Sequence, residues 1–259
     1  TLADDELSKI LNGKVIPGDR VFYPVKPHIA SYVPKVEKNN FDGKTCMITY
    51  DDDNAQRVNG FTSMIEEKGG KIIRGEMGIA DETGVPCDIN PNNEDVNLFI
   101  HFTGNVPNFS KLTELSRGEW DMLVDKFIND PAMITQGAID NFVPGGSDDP
   151  RKFKDAKGRI VIIGPHLPRG KHPDPKDKRF IQLARAKVEV FRGALRPFVT
   201  TVNQELSDVL KSNIRVFLIL PGSIDGKEPN DENIMNTINY LMSDEAGSSS
   251  EVIFCPDET

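Results

Sequence analysis

The spacing of apolar runs between residues 44 and 74 constrains this chain most. Lys44–Tyr50 (KTCMITY) reads as a strand, Asn54–Lys68 as an amphipathic helix and Lys71–Arg74 (KIIR) as a second strand. Val58, Phe61, Met64 and Ile65 recur at helical spacing, and Gly69-Gly70 ends the helix. A helix of this length carries the chain back along the sheet, so the two strands it joins lie parallel. Parallel strands are buried on both faces and read as near-continuous apolar runs. Val96–Phe102 (VNLFIHF), Arg159–Gly164 (RIVIIG), Ile214–Leu220 (IRVFLIL) and Glu251–Cys255 (EVIFC) supply more of them. Glu119–Ile139, Arg179–Leu210 and Asp231–Met242 read as helices between them, with Pro197 predicting a kink or a junction in the second. This alternation predicts an α/β fold, a parallel sheet with helices on both faces.

The link before Val96 does not fit. Only NPNNED separates it from Cys87-Asp88-Ile89, whereas a parallel crossover needs about a dozen residues. Either Val85–Ile89 is not a strand beside Val96–Phe102, or the crossover at 89–96 is truncated.

Residues 1–40 hold Pro17, Pro24, Pro27 and Pro34 after a short amphipathic stretch, Leu2–Leu11, and read as an N-terminal arm. Residues 41–259 read as one domain. Thr1–Lys14 does not read as a secretory signal, and no apolar run reaches the roughly 18 residues of a membrane span. A cytoplasmic or organelle-matrix location is the expectation. Cys46, Cys87 and Cys255 are odd in number and far apart, which argues against a disulfide scaffold or a zinc site. The net charge of −9 disfavours a nucleic-acid partner. Residues 151–196 nevertheless hold fourteen Lys or Arg against four Asp or Glu. That bias fits either a surface for an anionic ligand or partner, or solvated helix faces.

Four phrases carry a family resemblance. "NIRVFLILPGSIDG" (213–226) resembles the strand and Pro-Gly turn after the active-site helix of short-chain dehydrogenases/reductases. "NTINYLMSDEAGSSSEVIF" (236–254) is similar to their closing helix and strand, "VNLFIHFTG" (96–104) to the strand ending in Asn-Asn-Ala-Gly, and "GRIVIIGP" (158–165) to the strand that delivers the catalytic serine. The likeness runs in order over 41–255. It is closest to degenerate domains such as the N-terminal half of high-molecular-weight ketoacyl-carrier-protein reductases and the non-catalytic domains of bifunctional malonyl-CoA reductase. It implies a Rossmann-like sheet of the short-chain dehydrogenase type, an oxidoreductase-like ancestry in fatty-acid metabolism, and oligomers.

The family's chemistry needs a tyrosine to protonate the developing alkoxide, a lysine four residues later on the same helix face, and a serine for the carbonyl oxygen. No tyrosine lies between Tyr50 and Tyr240. If Lys187 is the family lysine, Leu183 stands at the tyrosine position, and Lys187 then reads as a surface lysine. The serine strand ends in Gly164-Pro165, without a hydroxyl. Phe127 falls at the position of the helical asparagine, and Asn129 would point to another face.

The cofactor turn is altered too. In the family, glycines let backbone N–H groups approach the diphosphate at a helix N-terminus. Here the turn is Asp51-Asp52-Asp53-Asn54-Ala55-Gln56-Arg57. Its Cβ atoms and three carboxylates oppose a diphosphate, and Arg57 offsets only part of that charge. A metal on the Asp cluster would need further ligands; capping of the helix by Asp53 or Asn54 is the simpler expectation. Arg74 stands where relatives contact a 2′-phosphate, and is otherwise an exposed strand-end arginine. The loop with His166, Arg169, Lys171, His172, Lys176, Lys178 and Arg179 could hold a CoA-type phosphate or an acidic partner, or be solvated. His101 replaces a polar cofactor-contacting residue.

These features predict a non-catalytic reductase-fold domain that completes an oligomer or supports an active reductase domain. No catalytic residue, metal or cofactor is expected. The alternatives are an NADP-dependent 3-oxoacyl-thioester reductase with an atypical site, and a CoA- or nucleotide-binding module.

Overall fold

The apolar runs become six strands, β1 Thr45–Tyr50, β2 Lys71–Arg74, β3 Leu98–Phe102, β4 Lys157–Ile163, β5 Asn213–Pro221 and β6 Val252–Cys255. This computed structural model describes residues 38–50, 54–75, 90, 94–107, 111–146, 149–166, 178–222, 231–243, 246 and 251–255. The strands form one sheet in the order β2-β1-β3-β4-β5-β6, parallel at every pairing. The helices are α1 Ala55–Glu67, α2 Arg117–Val124, α3 Asp130–Phe142, α4 Lys178–Gln204 and α5 Asp231–Leu241. The fold is thus the expected Rossmann-like α/β sheet with helices on both faces.

Side-chain alternation along the strands separates the two faces. Cys46 and Ile48 of β1 and Leu98, Ile100 and Phe102 of β3 pack with Val58, Phe61 and Ile65 of α1 and Ile234 and Ile238 of α5. Met47 and Phe99 point the other way, towards Ala138 and Phe142 of α3; Leu195 and Val199 of α4 pack on that same face. Phe99 and Phe142 meet edge to face at 5.2 Å, as do Phe61 and Phe102 at 5.1 Å on the first face. Each such buried ring contributes about 1.5–3 kcal/mol relative to exposure.

The helix-breaking residues are absorbed locally. Ser116 and Glu119 form a reciprocal capping box that starts α2. A π turn, Asp125–Asn129, then joins α2 to α3 immediately before Pro131. Proline lacks the N–H to continue the ladder and its ring crowds the carbonyl four residues back; a widened turn removes that conflict. Pro197 is no junction, because α4 runs through it. Pro197 and Gly193, whose carbonyl loses its partner, both lie on the exposed side, so water can take the freed acceptor.

Strand β2 is not followed by its neighbour in the sheet, since β3 pairs with β1. Val85–Ile89 lies outside the described residues. Of that connection, Asn90 is described and brackets Glu94 through its side-chain amide at 2.8 and 3.2 Å, and residues 94–97 are neither helix nor strand. Most of the arm, residues 1–37, also lies outside the described residues.

Candidate functional site

In a sheet of this kind ligands bind at the carboxyl ends of the strands, where the strand order reverses. Here that point lies between β1, whose helix leads outward to β2, and β3, from which the order runs the other way. The Asp51–Asp53 part of the turn lies outside the described residues. Asn54 takes the N-cap position of α1 but makes no side-chain capping bond, so its expected capping role is corrected.

Arg57, in the first turn of α1, is the unexpected feature. It is 5% exposed. Its Nε donates to Asp231 Oδ1 at 2.8 Å and its Nη2 lies 2.6 Å from the same oxygen. Its Nη1 is 3.1 Å from Nε2 of His166. The guanidinium carbon sits 5.7 and 5.8 Å from the ring centres of Phe61 and Phe102, and Phe102 ends β3. Guanidinium has only donors, so His166 Nε2 accepts and the ring is neutral, its proton on Nδ1. Asp231 begins α5, where the helix dipole favours its carboxylate. One buried cation thus links α1, the chain beyond β4 and α5 across the mouth of the crevice.

His166 therefore does not belong to the solvated basic loop. It is 1% exposed, and a parallel bridge to Asn105 extends the β3–β4 pairing past the strand ends. Val106 N donates to His166 O at 3.3 Å. The remaining loop residues Arg169, Lys171, His172 and Lys176 lie outside the described residues, and Lys178 and Arg179 are described only as the start of α4.

Gly164 and Pro165 end β4 without a hydroxyl, as expected. A Cβ at Gly164 would stand 3.0 Å from Leu220 and 3.3 Å from Leu218, so a serine there would be crowded. A second arginine seals this end. Arg192 of α4, 5% exposed, donates through Nε to Pro165 O at 2.9 Å and through Nη2 to Pro221 O. It ties the ends of β4 and β5 together, and its Nη1 meets Glu189 at 3.1 Å.

On α4, Leu183 is 36% exposed and offers no proton. Lys187 is not a surface lysine, being 1% exposed. Burial holds its ammonium below the usual lysine range, with Glu119 acting in the opposite sense. Its long apolar stem makes such burial possible. Phe127 is fully buried and stacks on Phe191 at 5.1 Å. Asn129 donates to Asp125 at 2.7 Å on the exposed side. Arg74 donates to Asn59 at 3.0 Å and is exposed. His101 is buried against Thr49 Oγ1 at 3.0 Å.

The structure thus brings Arg57 and His166 together with Asp231, which the sequence reasoning did not single out, and it leaves Leu183, Arg74 and Asn129 apart. A signal for Arg57 was present: it lies four residues before Phe61, on the apolar stripe of α1. Arg192 stands in the same way between Val188 and Leu195. Among the described residues no group of three or more His, Cys, Asp or Glu side chains could hold a metal, and no helix is long and apolar enough to cross a membrane. Residues 54–59, at the start of α1, offer no glycine to receive a diphosphate, and Arg57 among them is held by Asp231 and His166.

No protein-family model and no curated protein matches the chain. Solved structures do. A short-chain dehydrogenase/reductase double mutant from Serratia marcescens aligns over 83% of this chain and 96% of its own, with a TM-score of 0.54 and 16% identity. A short-chain dehydrogenase from Mycobacterium smegmatis aligns over 88% and 98%, with a TM-score of 0.56 and 12% identity. A 7α-hydroxysteroid dehydrogenase complexed with NADH and 7-oxo glycochenodeoxycholic acid aligns over 84% and 96%, with a TM-score of 0.55 and 14% identity. The chain has the fold of short-chain dehydrogenases/reductases.

Proposed function

We propose that this chain is a non-catalytic reductase-fold domain that works by assembly, completing an oligomer or supporting an active reductase in an acyl-thioester, fatty-acid type system. The observation that carries the reading is the Arg57–Asp231–His166 network across the crevice. It replaces an open, glycine-lined site by a neutralised ion pair and an uncharged imidazole. Leu183, Gly164 and Phe127 remove the proton donor, the hydroxyl and the helical amide from the places the resemblance assigns them. Loss of one oxyanion or proton donor typically costs about 10²–10³ in rate; the losses here fall on one constellation.

For assembly, Trp120 and Met122 of α2 and Leu183 and Val190 of α4 are large apolar side chains at 36–45% exposure. Trp120 lies 5.9 Å from Phe191, so α2 and α4 present this surface side by side. A closed twofold pair, or an active reductase chain, would cover it.

Buried Lys187 favours a second reading, an NADP-dependent 3-oxoacyl-thioester reductase with an atypical acid. The two are separated by incubating the protein at high concentration with acetoacetyl and malonyl thioesters and either nicotinamide cofactor, following the nicotinamide absorbance for hours. No turnover is expected. Steady turnover that scales with protein and is abolished by Lys187→Met would establish the second reading.

A further inference from the structure

We propose that the cleft between α3 and the C-terminal half of α4 binds a single-chain aliphatic amine, a hydrocarbon tail carrying one protonated amino group. The cleft has a volume of about 540 Å³, within the range of small-molecule sites. It lies towards the amino ends of the strands, since α3 precedes β4 and α4 precedes β5. It is therefore at the far end of these helices from the crevice and includes none of Arg57, Asp231 and His166. Its failure would leave the non-catalytic reading untouched.

Two helices make its floor apolar. Phe198, Val202 and Leu206 recur every fourth residue along α4 and the π turn Glu205–Val209 that follows it. A four-residue repeat drifts about 40° per step on an α-helix. The π turn, closed by Leu210 N donating to Glu205 O at 3.0 Å, widens the last turn and offsets that drift. Leu206 and Leu210 then line the same cleft. Met133, Gln136 and Asp140 share the facing side of α3. Ile139, Phe198, Val202 and Leu210 pack against the core of this face and yet stay only partly buried. An aliphatic tail laid along them covers that hydrocarbon.

The charge of the lining selects the head group. Its charged residues are Asp140 on α3 and Glu205 at the end of α4, and neither side chain makes a hydrogen bond or ion pair among the described residues. The cations next to the cleft are held elsewhere. Arg151 and Lys152 sit on the 3-10 helix Pro150–Asp155 that contributes Pro150 and Phe153 to the lining. Arg151 is paired with Asp149 at 2.9 Å, and Lys152 donates to Gly145 O at 2.8 Å. A carboxylate or phosphate head group would thus meet two like charges, whereas an ammonium meets two opposite ones on facing walls. Thr135 adds a neutral acceptor: its Oγ1 donates to Pro131 O at 2.7 Å and keeps its lone pairs. Two carboxylates do not make a metal site, and no larger metal-holding group exists among the described residues.

The test is calorimetric titration of the whole chain at low ionic strength with decylamine, 1-decanol, decanoate and ethylamine, each below its micelle concentration. The ¹³C-methyl resonance of Met133 is followed in parallel. Saturable binding of decylamine is expected, at least tenfold tighter than decanol and tighter still than decanoate, with the Met133 resonance shifted. Ethylamine, which lacks the tail, should not saturate. In Asp140→Asn/Glu205→Gln, with an unchanged circular dichroism spectrum, decylamine should bind no tighter than decanol. Absent or unsaturable binding of decylamine, equal affinity for decanol in the unmodified protein, an undiminished preference for the amine in the variant, or an unmoved Met133 resonance would each overturn the proposal. So would dissociation of an oligomer by decylamine in light scattering, which would make a second copy of the chain the occupant.

Discussion

Arg57 carries its charge into a place where charge is expensive unless fully answered. Asp231 and His166 answer it, and the rings of Phe61 and Phe102 flank it. Arg57→Leu would leave a buried imidazole acceptor and a partly buried carboxylate, whose side chain is 28% exposed, without this donor. A loss of about 2–4 kcal/mol is expected in urea denaturation. Arg57→Lys should fall between, because a point charge cannot fork to both partners. Little of this was legible in the sequence. The sequence places Arg57 on the apolar stripe of α1, four residues before Phe61, but Asp231 lies 174 positions away, and no local pattern names a partner at that distance. His101 makes a second prediction at this scale. Its pKa falls from 6.5 to about 3 because burial disfavours the charged ring. The unfolded chain therefore binds a proton below about 6.5 that the folded chain refuses until about 3. Stability contributed by the neutral ring is complete above that window and declines as pH falls through it, by roughly 1 kcal/mol per pH unit. The difference between the unmodified protein and His101→Gln, measured by denaturation from pH 7 to pH 4, should follow that slope.

Strand and helix identities were legible because the apolar runs and stripes are long, and the observed ends fall within a few residues of those expected. What periodicity could not supply was how elements satisfy one another. Val216 of β5 lies before the stretch that pairs with β6, which begins at Leu218. The Asn203 side chain takes the strand's place there, donating to Val216 O at 2.6 Å and accepting from Val216 N at 2.9 Å. Asn203→Leu keeps the volume but orphans both backbone groups. A loss of about 2–4 kcal/mol is expected, with faster hydrogen exchange at Val216 than at Leu218. Asn203→Gln, one methylene too long, should recover only part of it. Pro197 shows the opposite case, a strong local rule overridden because the freed carbonyl of Gly193 faces solvent.

At the scale of the whole molecule, the order of elements made the parallel sheet and its switch point readable, and solved short-chain dehydrogenases/reductases share it at 12–16% identity. The meeting of Arg57, which follows β1, with His166, which follows β4, across the end of β3 was not readable, because the sequence places His166 in a basic loop. The apolar surface of Trp120, Met122, Leu183 and Val190 leads to an expectation about assembly. Light scattering at tens of micromolar should return a dimer or larger species, and Trp120→Glu/Leu183→Glu should shift it to monomer; a monomer without the substitutions would contradict that role. The proposed non-catalytic role requires that side chains of this chain occupy the space a nicotinamide cofactor would need. Calorimetric titration of the intact protein with NADPH, and in parallel with NADH, tests it most directly. No binding stronger than about millimolar is predicted, equivalent to no more than about 4 kcal/mol of binding free energy. A micromolar dissociation constant would mean that the Arg57 network opens to admit the cofactor, and would contradict the claim.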